Sequence, residues 1–77
     1  MSYYYNNPEA QKISKSIIDE IKQVLSKHNA RFIFTTQGVE LELDRFGYIG
    51  YLDGSSTSIE LVDEVEGVLY SVDLSDD

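Results

Sequence analysis

The chain has 77 residues with one His, one Met, no Cys and no Trp, and its fourteen Asp or Glu against six Lys or Arg give a formal charge of −8. That length holds one small domain, and the absence of Cys excludes a disulfide framework, a thiolate nucleophile and Cys-based metal centres. The acidic balance argues against direct binding to nucleic acid or anionic lipid, while 42% hydrophobic residues are too many for a disordered chain.

The first eight residues, Met1 to Pro8, have neither the basic start nor the apolar core of a secretory signal. No stretch approaches the roughly 20 apolar residues of a membrane span. The expectation is a cytoplasmic protein with no membrane partner.

Asn7-Pro8-Glu9 reads as a helix start: Asn7 accepts at the N-cap, Pro8 suits the first helical position, and Glu9 complements the helix dipole. Ala10, Ile13, Ile17, Ile21, Val24, Leu25 and His28 then recur at spacings of three and four, with Ile18 beside them. This pattern predicts an amphipathic helix over about 8–28, with Asn29 as a left-handed C-cap. Lys12, Lys15, Asp19, Lys22, Gln23 and Ser26 cover its other side. Tyr3, Tyr4 and Tyr5 precede it, placed to staple onto it, remain loose or reach a partner.

After Ala30 the period shortens to two. Residues 31–36 are β-branched and aromatic, as suits a strand, and Gln37-Gly38 forms a tight turn. Val39, Leu41 and Leu43 alternate with Glu40, Glu42 and Asp44 in a second strand, 39–44. Further strands are expected at about 48–52, 58–62 and 67–74, with turns at Asp53-Gly54-Ser55-Ser56 and Asp63–Gly67. Gly47 and Gly50 mark a bend or bulge. The fold class is therefore α+β: a single domain, 1–77, in which one N-terminal amphipathic helix packs on a small antiparallel sheet of three to five strands. The polar tail from Ser75 is expected to fray.

Charge is unevenly spread. Residues 1–31 carry five cations against three carboxylates, whereas residues 32–77 carry Arg45 alone against eleven. If the second strand is regular, Glu40, Glu42 and Asp44 share one face at steps of about 6.6–6.8 Å, close to the separation of neighbouring phosphates on a nucleic-acid strand. Glu60 and Asp73 extend the rows onto adjacent strands, and Asp63, Glu64 and Glu66 crowd one loop. Such a surface suits a protein that normally grips phosphates with Lys and Arg. The same alternation also keeps a small sheet soluble and guards its edges.

No catalytic motif accompanies these residues. His28 has no nucleophile or second base beside it in the sequence and reads as a capping or packing residue. The stretch Asp53 to Glu60 lacks the ligand alternation and central Gly of a calcium loop, and Gly47 and Gly50 lack the Lys-Ser/Thr pair of a phosphate loop. No catalytic residue, metal ligand or cofactor is expected.

In length, charge and helix-plus-sheet layout the chain resembles small acidic phage-encoded DNA-mimic inhibitors of the host-takeover type, such as the phage inhibitor of the nucleoid protein HU. The resemblance implies a non-enzymatic protein of the bacterial host cytoplasm. It would bind a basic nucleic-acid-binding host protein, HU-like by preference, and block its DNA binding. Its contact residues would be Glu40, Glu42, Asp44, Glu60, Asp63, Glu64, Glu66 and Asp73. The alternatives are an inhibitor of a nuclease or CRISPR effector (anti-defence or immunity-type), and a small adaptor that uses its helix to meet a partner or a second copy as a homodimer.

Overall fold

The computed structural model describes residues 3–75. A short helix α1 (Tyr3–Asn6) leads into α2 (Pro8–Lys27), followed by strands β1 (Ala30–Thr35), β2 (Gly38–Leu43), β3 (Gly47–Gly54), β4 (Ser58–Asp63) and β5 (Gly67–Asp73). The expected fate of the tail beyond Ser75 lies outside the described residues, and so do the side chains of Tyr3 and Tyr4. Among the described residues no helix is long and apolar enough to cross a membrane.

The start of α2 follows from its sequence. The Asn7 side-chain oxygen accepts from the backbone N–H of Glu9 at 3.0 Å and of Ala10 at 3.1 Å, satisfying two donors that a helix start leaves open. Pro8 fills the first helical position, where no N–H is needed. At the other end the His28 N–H donates to the Val24 carbonyl at 3.2 Å. Asn29 takes a φ of +51°, the left-handed corner that ends the helix. His28 thus caps the helix, as its place in the sequence suggests.

The five strands form one antiparallel sheet in chain order, β1-β2-β3-β4-β5, each joined to the next by a short turn. This meander is the α+β layout expected from the switch in hydrophobic period. Strand β3 runs two residues further than its apolar pattern suggests. Asp53 pairs with Glu60 and Gly54 with Ile59, so the turn moves on to residues 55–57. The register slips twice, opposite Leu41/Glu42 in β3 and opposite Leu61/Val62 in β5. Ile49 and Leu69 are the extra residues, and the sheet bends there. At Gly50 a Cβ would lie 2.6 Å from the Val62 carbonyl oxygen, so only glycine fits that approach.

Cross-strand pairing sorts the side chains onto two faces, because directly opposed residues point the same way. One face is apolar: Phe32 and Phe34, Val39 and Leu41, Leu52, Ile59 and Leu61, Tyr70 and Val72. The other carries the carboxylates. The helix packs against the sheet at β1, the strand it leads into and the one strand it contacts. Its stripe ends in a groove shared by Ile17, Ile21, Val24, Leu25 and Phe32. Most of the stripe stays open: Ile17 is 52% and Ile18 64% exposed. Across the apolar sheet face Phe34 is 76% and Tyr70 67% exposed, and no large hydrophobic side chain among the described residues is fully buried. The molecule is correspondingly extended, with a radius of gyration of 14.8 Å against about 11.5 Å for a compact domain of this length.

Candidate partner-binding face

The second sheet face is built from alternate positions of five strands. Arg31 and Ile33 lie on β1, Glu40 and Glu42 on β2, Tyr48, Tyr51 and Asp53 on β3, Glu60 and Val62 on β4, and Val68, Ser71 and Asp73 on β5. The carboxylates of β2 and β4 therefore share a face, as the alternation alone suggests. Asp53, absent from the sequence-based set, joins them opposite Glu60. Its position past the apolar run of β3 made it read as part of a turn.

The acidic surface falls into two groups separated by a less polar row. Ile33, Tyr51, Val62 and Val68 line up across the sheet through successive pairs, with Glu40 among them on β2. On one side of that row lie Glu42, Asp44 and the β4–β5 turn with Asp63, Glu64 and Glu66. On the other lie Asp53, Glu60 and Asp73. Asp44 falls one residue beyond β2, in the turn to β3, so the regular three-step row on one strand stops at Glu42.

Hydrogen bonding sorts these carboxylates further. Arg31 holds two of them: its Nε donates to Glu42 Oε1 at 2.7 Å, and its Nη2 lies 3.0 Å from Asp44 Oδ1. The pairing holds the Arg31 guanidinium more firmly protonated than usual, first through the Glu42 hydrogen bond and then through the charges of Glu42 and Asp44. Asp63 accepts from the N–H groups of Glu66 and Val65, each at 2.9 Å, which holds its carboxyl below the usual range and shapes the β4–β5 turn. Asp73 accepts from both the N–H and the hydroxyl of Ser75, with the same effect on its titration. Asp53 accepts from the Gly54 N–H at 2.8 Å. The side-chain carboxylates of Glu40, Glu60, Glu64 and Glu66 make no hydrogen bond or ion pair among the described residues. Their charge is free for a partner.

Two of the free carboxylates border a hollow. Twist and bulges bring Gln37 and Thr35, at the β1–β2 turn, toward Glu64 of the β4–β5 turn, and Glu40, Tyr48 and Tyr51 complete the walls. Loss of solvent raises the Tyr48 phenol above its ordinary range, and the charges of Glu64, Glu40 and Asp63 raise it further. The place of Tyr48 and Tyr51 beside Glu40 and Glu64 follows from strand order and twist, which no local pattern encodes.

No group of three or more His, Asp or Glu among the described residues is arranged to hold a metal ion. No family model, curated protein or solved structure matches the chain.

Proposed function

We propose that the chain is a non-enzymatic acidic binding module. Its carboxylate face occupies the nucleic-acid-binding surface of a basic protein of the HU kind and so competes with DNA for it. The observation that carries this reading is the segregation of charge by face. Glu40, Glu42, Asp53, Glu60 and Asp73 come from four different strands onto one side of the sheet, with Arg31 as the cation among them. Strands stand about 4.8 Å apart and alternate residues about 6.6–6.8 Å apart, so such an array spaces charges on the scale of a phosphate backbone. The hollow between Glu40, Glu64, Tyr48 and Tyr51 suits a Lys or Arg side chain, which gains from both the carboxylates and the ring faces.

The test is capture from a nuclease-treated bacterial lysate on the immobilised chain, eluted with rising salt. The reading predicts recovery of a basic DNA-binding protein released at moderate salt, since exposed charge contacts are screened within about 10 Å at 0.1 M salt. Recovery of neutral or acidic proteins alone contradicts it. Recovery of a nuclease whose cleavage the chain blocks moves the target to the anti-defence class on the same face.

A further inference from the structure

We propose that the chain pairs with a second copy of itself through the sheet face opposite the carboxylates, the apolar stripe of α2 in one protomer lying across the apolar sheet of the other. The first argument is area. The chain exposes 6711 Å², whereas a folded monomer of 8.8 kDa exposes about 4,800 Å² by the usual size scaling. The excess is about 1,900 Å² per chain. Doubled over two protomers it falls in the range of roughly 2,000–5,000 Å² that obligate homodimers bury.

The second argument is continuity. Phe32 belongs to the apolar sheet face and also closes the groove under Ile17, Ile21 and Val24, so stripe and sheet form one angled apolar surface. Two such surfaces related by a two-fold axis cover each other reciprocally. The 20-residue helix is about 30 Å long, enough to cross five strands spaced about 4.8 Å apart. The protomer's own helix meets its own sheet at β1 alone. The link to β1 is His28 and Asn29, with Asn29 fixed at φ +51° and its carbonyl accepting from the Asp44 N–H at 2.9 Å.

Pairing helix on sheet covers both the stripe and the apolar sheet face, whereas pairing helix on helix would leave Leu52, Ile59, Leu61 and Val72 uncovered. This pairing leaves the carboxylate face open and does not depend on what that face binds.

The experiment is the mass of the full chain in solution, by light scattering or native mass spectrometry, from micromolar to millimolar concentration. It is joined to cross-linking between two single-cysteine variants, Ile18→Cys and Tyr70→Cys, in a chain that has no other thiol. The expected result is twice the chain mass, with cross-links between the two variants several-fold more abundant than links of either variant to itself. A single-chain mass throughout overturns the proposal, and so does a dimer in which either variant links chiefly to itself.

Discussion

Arg31 and Glu42 stand directly opposite each other on β1 and β2, with the guanidinium Nε 2.7 Å from Glu42 Oε1. The same guanidinium reaches Asp44 at 3.0 Å, so one cation holds two carboxylates at the β2–β3 corner. Both partners are solvent-accessible, and exposed ion pairs contribute little to stability. Their effect falls on the charge of the carboxylate face.

Arg31→Ala is therefore expected to leave the thermal midpoint nearly unchanged while freeing Glu42 and Asp44. Competition against DNA for a basic protein should strengthen a few-fold at low salt, and its salt dependence should steepen. Anisotropy of labelled duplex DNA on the target, read at several salt concentrations, checks this. Weakened competition would show that Arg31 itself meets the partner.

Asp63 shapes the β4–β5 turn by accepting two backbone N–H groups, and its carboxyl titrates below its ordinary range. A depressed folded pKa means the stabilisation is present above the unfolded value and is lost as pH falls through the folded one. Asp63→Ala should lower the midpoint at about pH 7, and the difference from wild type should shrink toward about pH 2. Thermal melts of both chains across that range are the measurement. A constant difference would place the role of Asp63 in packing.

Gly50→Ala tests the close approach of β3 to β4. The added Cβ would meet the Val62 carbonyl oxygen at 2.6 Å, a backbone atom that moves only with its strand. Overpacking of this kind costs about 1–3 kcal/mol, against about 0.4–1 kcal/mol gained from a stiffer unfolded chain. Urea titration should show a lower midpoint at unchanged slope. At Gly47, by contrast, nothing lies within 4 Å of the added Cβ and the strain comes from a φ of +77°, so Asn should be tolerated there better than Ala.

Loss of the helix cap is the fourth expectation. Asn7→Ala removes an oxygen that accepts from Glu9 and Ala10, at a cost of about 1 kcal/mol. Because α2 touches its own sheet at β1 alone, this loss should appear as reduced helical circular dichroism before the sheet melts. If α2 lies on a partner's sheet, the same substitution also weakens association, so helicity and mass fall together on dilution.

Much of the fold was legible in the residues. Asn7-Pro8 marked the helix start, Asn29 its end, and the alternation of Val39, Leu41 and Leu43 with Glu40 and Glu42 fixed the faces of β2, because caps and side-chain periodicity are local. The extra length of β3 was not legible: Asp53 and Gly54 carry turn chemistry and are extended because Glu60 and Ile59 pair with them. Helix α1 is a four-residue segment, Tyr-Tyr-Tyr-Asn, too short for a 3.6-residue apolar period to announce it. Of the candidate site, the shared face of the β2 and β4 carboxylates followed from alternation. The division of the acidic surface by Ile33, Tyr51, Val62 and Val68 depended on strand order. The engagement of Glu42 and Asp44 by Arg31 depended on register, and Arg31 counts with the helix half when charge is summed along the chain. Periodicity also identified the apolar stripe of α2 without stating what covers it, since a 3.6-residue repeat reads the same whether the covering surface is in the same chain or another.

The central claim is that the carboxylate face is the contact surface for a basic nucleic-acid-binding protein. It is tested most directly by reversing two free carboxylates, Glu40 within the less polar row and Glu60 beside it, as Glu40→Lys together with Glu60→Lys, and measuring displacement of labelled duplex DNA from HU. With the circular dichroism of the chain unchanged, displacement should fall at least ten-fold relative to wild type and lose most of its salt dependence. Displacement by the doubly reversed chain equal to that of wild type would contradict the account.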